Sequence, residues 1–143
     1  PMELKMKTIR LLVTLLGILI FGNSMAAEIY LECDGKEYSV SLNDSQEAKE
    51  FLKQLPQELK FEDYGAFERI AYLTKKLTPA GAANGFTPLT VDLTYYAPWG
   101  NLAVFIKDFC PSTGLYSLGT LSPEALKAIK ESGSRKVRFF LKD

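Results

Sequence analysis

The strongest constraint on the fold is an alternation of period two. Ile29, Leu31 and Cys33 alternate with Tyr30 and Glu32, and after Asp34-Gly35 the pattern resumes at Tyr38, Val40 and Leu42. Successive side chains of a strand point to opposite faces, so a half-buried strand carries this pattern. Asp-Gly supplies the positive φ angles of a tight turn, and residues 29–42 are therefore predicted to form a β-hairpin. The alternation returns at Val91, Leu93 and Tyr95 and again at Val137, Phe139 and Leu141. Residues 102–106 are a nearly continuous apolar strand, and 115–121 are another short one. The stretch 58–73 is strand-like but less regular, with a bend at Tyr64-Gly65.

Two segments change the period. Asp44 with Glu47 three places on has the form of a helix start, and Ala48, Phe51, Leu52 and Leu55 then share one helical face until Pro56 stops it. Ser122-Pro123-Glu124 opens a shorter second helix, with Gly133 beyond its end. Thr78-Pro79, Gly81, Asn84-Gly85 and Pro88 mark residues 74–90 as a long loop, a kind of segment that is often functional. Pro98-Trp99-Gly100-Asn101 makes a turn. About eight short strands and two helices are thus expected. This mostly β order fits a closed or nearly closed antiparallel barrel with helices over its ends; an open sheet with helices on one face is the alternative.

The N-terminus follows a different logic. Lys5, Lys7 and Arg10 precede an apolar run over residues 11–21, and Gly22, Asn23, Ser24, Met25 and Ala26 follow. That order is the pattern of a secretory signal, with cleavage expected after Ala26. The apolar run is about half the ~20 residues a helix needs to cross a bilayer, so no permanent membrane anchor is expected after cleavage. Residues 1–26 are read as the signal and 27–143 as one domain, secreted or periplasmic.

Charge and composition exclude several function classes. The chain holds 17 Lys and Arg against 17 Asp and Glu, and the leader takes more basic than acidic residues with it. The remaining domain is slightly acidic, with no basic stripe to neutralise phosphates, which argues against nucleic acid as a partner. Histidine is absent, so Ser-His-Asp and Cys-His chemistry are excluded and the commonest metal ligand is missing. No CxxC spacing suggests zinc. Neither a metal nor a cofactor is expected. The two cysteines, Cys33 and Cys110, are disulfide candidates in an oxidising compartment; two separately buried thiols are the alternative.

The run Asp92-Leu93-Thr94-Tyr95-Tyr96-Ala97-Pro98-Trp99-Gly100-Asn101-Leu102-Ala103-Val104-Phe105, followed by Asp108, Ser112 (or Thr113), Gly114 and Leu115, resembles the signature of a family of small bacterial proteins called cyclophilin-like. The likeness extends back through Leu55-Pro56 and Ala71-Tyr72-Leu73. One departure is Val91, where the family usually has Gly. The resemblance implies a barrel like that of cyclophilin, without implying its activity. Cyclophilins rotate prolyl bonds with an Arg, and Phe67-Glu68-Arg69-Ile70 is the local match for it. The binding-site His of those enzymes has no counterpart here, and their groove residues are not matched at Leu89, Thr90 and Val91.

Candidate binding residues are therefore Arg69, Tyr96, Trp99 and Asn101. Arg69 is catalytic if the protein is an isomerase; otherwise it pairs with Glu68 or Asp63. Alternation sends Tyr95 and Tyr96 to opposite faces, so at most one of them lines any given pocket. Trp99 either touches a ligand or caps the barrel. Asp92 and Asp108 are either an acid pair or backbone hydrogen-bond acceptors. The function expected is an extracytoplasmic module binding a peptide or small molecule in a groove beside the loop 74–90. A prolyl isomerase using Arg69 is one alternative, and a structural or interaction domain without a small ligand is the other.

Overall fold

A computed structural model describes residues 27–80, 87–107 and 112–142. Nine strands form one antiparallel sheet: β1 Ala27–Cys33, β2 Lys36–Leu42, β3 Gln57–Lys60, β4 Glu62–Tyr64, β5 Glu68–Tyr72, β6 Asp92–Tyr96, β7 Asn101–Phe105, β8 Leu115–Leu121 and β9 Lys136–Phe140. Two helices, α1 Gln46–Lys53 and α2 Pro123–Glu131, interrupt the strand sequence. The strand order is β3-β9-β1-β2-β8-β6-β7-β5-β4. At one edge β3 packs against β5, beside the opposite edge, so the sheet curls into a nearly closed barrel without completing its ladder.

The β1–β2 hairpin turns where Asp34 (φ 50°) and Gly35 (φ 83°) both adopt positive φ, the conformation the Asp-Gly pair favours. Its inward residues Ile29, Leu31, Val40 and Leu42 join Leu93, Leu102, Val104 and Leu118 in the barrel interior. From α1, Ala48 and Phe51 enter the same core, with Phe51 edge-on to Phe139 at 5.5 Å. Ala125 and Ile129 of α2 seal it beside β1, β2 and β8. A helix with one apolar stripe must bury it, and these stripes lie over the interior.

The helix caps refine the sequence reading. The N-cap of α1 is Ser45, whose Oγ accepts from the Ala48 N–H at 3.1 Å; Asp44 precedes it, and the Asp44–Glu47 capping pair is not formed. Glu47 is instead buried and accepts from the Ala80 N–H at 3.0 Å, while Glu50 accepts from Thr78 N–H at 2.8 Å. Two carboxylates of α1 thus tie down the start of the long loop; Gly81 and Asn84-Gly85 lie outside the described residues. Ser122 caps α2 as its sequence indicates, with Pro123 in the first turn. The irregular stretch 58–73 resolves into β3, β4 and β5, which raises the strand count from about eight to nine.

Strand β7 is buried along its whole length. Leu102 and Val104 face the barrel core, while Ala103 and Phe105 face outward and form a second cluster with Ile70 and Leu115. A strand covered on both faces reads as continuously apolar, which explains residues 102–106. This outer cluster marks where the sheet carries something besides solvent.

Cys33 is a free thiol in this structure. It is buried, and its Sγ lies 3.6 Å from the Ala128 carbonyl oxygen, to which it donates. Burial pushes its pKa up. The disulfide expectation finds no bridge at Cys33; Cys110 lies outside the described residues, as does the segment read as a signal. Among the described residues, no helix is long and apolar enough to cross a membrane.

Candidate functional site

Three elements raise a rim of aromatic side chains on the outer face of the sheet. After β6 the chain turns tightly, with the Gly100 N–H donating to the Tyr96 carbonyl at 2.9 Å. The turn is docked from below by Gly114, whose carbonyl accepts from Ala97 N–H at 3.0 Å. Gly114 has φ +87°, a conformation that strains any side chain, and a Cβ there would press on Pro98 Cδ at 3.0 Å. This docking sets Trp99 edge-on to Tyr96, with ring centroids 5.5 Å apart, and edge-on to Tyr64 of β4 at 5.2 Å. Edge-to-face pairs of this kind are favoured by the ring quadrupoles.

Behind the rim lies a cavity of about 160 Å³. Ile70, Phe105 and Leu115 form its apolar floor, and Glu68, Asn101 and Ser112 supply its polar atoms. Asn101 is only 1 % exposed. Its Nδ2 donates to the Leu102 carbonyl at 3.0 Å, yet its Oδ1 is buried without a donor among the described residues. Burial pushes the Glu68 carboxyl above the usual glutamate range, with no charged neighbour among the described residues offsetting the lost hydration.

The structure brings three of the four candidate residues together. Tyr96, Trp99 and Asn101 line one cavity. Arg69 does not. Alternation along β5 turns Glu68 and Ile70 to the cavity and sends Arg69 to the other side with the core residue Ala71. There its Nε lies 2.9 Å from Asp63 Oδ1, its cross-strand partner, as an ion pair off the line of a hydrogen bond. Asp63 also receives the guanidinium of Arg135, and this hydrogen bond holds its carboxyl below the usual range.

Tyr95 and Tyr96 part as strand geometry requires. Tyr95 is buried in the core, where its hydroxyl accepts from the Leu77 N–H at 3.0 Å. Asp92 accepts from the Leu89 N–H at 2.8 Å, the backbone role; Asp108 lies outside the described residues. No described residue of the loop 74–90 lines this cavity, which lies between β4, β5 and the β6–β7 turn; a more open depression lined by Gln54, Gln57, Thr74 and Lys75 lies beside the start of that loop. Glu68 and Tyr64, which line the cavity, were not among the candidate residues, because neither belongs to a motif of its own in the sequence. Alternation along β5 was the signal that separates Glu68 from Arg69.

A nearly closed antiparallel barrel with two helices, carrying an aromatic-rimmed cavity on its outer face, defines the class. The chain belongs to the cyclophilin-like family, whose sequence model matches residues 31–140. Among solved structures it is similar to a hypothetical protein from Archaeoglobus fulgidus determined in solution. That likeness has a TM-score of 0.62 at 13 % identity and covers 84 % of this chain and 96 % of the other, which bears on fold alone. No curated protein matches the chain.

Proposed function

We propose that the protein is an extracytoplasmic binding module that takes a small molecule, or one residue of a peptide, between Trp99 and Glu68. The observation that carries this reading is the cavity itself, in which three aromatic side chains and one carboxylate converge over the apolar floor of Ile70, Phe105 and Leu115. A concave, mostly apolar site with a few convergent polar groups is the usual form of a small-molecule pocket. Aromatic side chains around it add rigid contact area. The extracytoplasmic part rests on the order of Lys5, Lys7, Arg10, the apolar run 11–21 and Ala26 in the sequence.

The isomerase alternative rested on Arg69, which faces away from the cavity and is held by Asp63.

The test is a fragment and dipeptide screen read by protein-observed NMR, with the Trp99 indole N–H and the Asn101 side-chain amide as reporters. The chain has one tryptophan, so the indole signal is unambiguous. Saturable shifts of both signals support the reading, and a chemically mixed panel that leaves both unmoved overturns it. A phosphatase fused after residue 26, of a type active only outside the cytoplasm, tests export separately.

A further inference from the structure

Three aromatic rings elsewhere in the fold meet a cation of the chain. Lys107 Nζ stands 5.5 Å from the Phe67 ring centroid, Arg138 Cζ 4.2 Å from Phe140, and Lys142 Nζ 4.3 Å from Tyr30. The three rings of Tyr64, Tyr96 and Trp99 carry no cation among the described residues. Glu68 is the one charged side chain lining the cavity, and no Arg or Lys among the described residues lies within ion-pair distance of it.

Two features of the pocket ask for a cation. Aromatic rings are negative on their faces, and Glu68 is anionic. A small hydrated metal ion is a poor fit, because such ions need several oxygen or nitrogen ligands and the floor is apolar. Among the described residues, no His, Cys, Asp or Glu cluster could hold one. A weakly hydrated organic cation meets both features at once.

We infer that the cavity binds an organic ammonium head group, with Tyr64, Tyr96 and Trp99 as its aromatic walls and Glu68 as its counter-charge. This rests on the reading of the cavity as a binding site and names the ligand chemistry. The space is sufficient: a cavity of roughly 150 Å³ holds a benzene-sized guest, and this one is about 160 Å³. The unpaired, partly desolvated Glu68 carboxyl, whose pKa burial pushes up, gains a partner when the cation enters. A free methylated amine and a lysine side chain share this chemistry, and the two are separated by the probes.

The experiment follows Trp99 emission of the intact chain during titration with tetramethylammonium chloride, acetyl-trimethyl-lysine amide and neutral 2,2-dimethylpropan-1-ol, at matched ionic strength. The expected result is saturable binding of both cations, at least about five-fold tighter than the neutral alcohol. Glu68→Gln, which keeps shape and fold, is expected to weaken the cations by a similar factor and to leave the alcohol unchanged. Tighter binding of the lysine derivative than of the free ion assigns a peptide source, and equal binding assigns a free amine. If the alcohol binds as well as the cations, or Glu68→Gln changes nothing, the cation assignment is overturned while the binding site stands. If neither cation moves Trp99, the cation assignment falls, and the mixed NMR panel alone decides the binding site.

Discussion

Trp99 stands edge-on to Tyr64, with ring centroids 5.2 Å apart and planes at 81°, so a turn after β6 is braced by a strand some thirty-five positions earlier in the chain. The contact joins two elements that share no hydrogen bond in the sheet order. Trp99 is 42 % exposed, so Trp99→Ala removes ring contacts without opening a hole in the core. The expected cost is about 1 kcal/mol, in the range of aromatic pairs and well below the roughly 3–5 kcal/mol of a buried aromatic deletion. Denaturant unfolding checks this, together with loss of binding in the NMR screen.

Tyr95→Phe keeps the ring in the core and deletes the hydroxyl that accepts from Leu77 N–H. Leaving a buried donor unpaired costs about 1–3 kcal/mol. Hydrogen exchange is expected to show the Leu77 amide losing protection while the amides of β7 keep theirs. Unchanged protection at Leu77 would contradict this role.

Glu68 has a folded-state pKa raised by burial. The stability linked to it is present below the unfolded glutamate pKa and is lost as pH rises through the folded value. Glu68→Gln is therefore expected to be more stable than the parent at neutral pH, with the two converging on acidification. Thermal melts across that range measure the crossing, and a variant less stable at neutral pH would contradict the desolvation argument.

Asp63 behaves with the opposite sign. The hydrogen bond from Arg135 and the nearby Arg69 lower its folded pKa. Its contribution is present above the unfolded aspartate pKa and is lost as pH falls through the folded value. Asp63→Asn is expected to destabilise at neutral pH and to match the parent in acid. It also leaves the Arg69 side chain, 14 % exposed, without its ion-pair partner.

Arg69 gives a functional expectation as well. Because it faces away from the cavity, a protease-coupled assay is expected to show no acceleration of prolyl rotation over the spontaneous rate. Acceleration that disappears in Arg69→Ala would place an enzyme at a surface other than the cavity.

The barrel was legible because period two and turn chemistry are local signals. Ile29 to Leu42 around Asp34-Gly35, and the apolar run of β7, declare strands without reference to anything distant. The Tyr-Tyr-x-Pro-Trp-Gly-Asn segment made the family legible too. The parting of Tyr95 from Tyr96 followed from pleat geometry alone. The cavity was not legible, since Tyr64 and Glu68 reach Trp99 only through the β5–β7 and β6–β7 pairings, and strand order is not written in local periodicity. Arg69 misled for a related reason: a motif names a residue, but the alternation of its own strand decides which face receives it. The start of α1 differed by one residue because Asp44 and Ser45 are both good caps, and tertiary contacts employ Glu47 elsewhere.

The most direct test of the binding site is a crystal structure of the protein with the tightest fragment from the NMR screen. That molecule is expected against Trp99 and Tyr96, with a donor or cationic group toward Glu68. Density in the open depression beside Gln54, Gln57 and Lys75, with the Trp99 cavity holding only water, would contradict it.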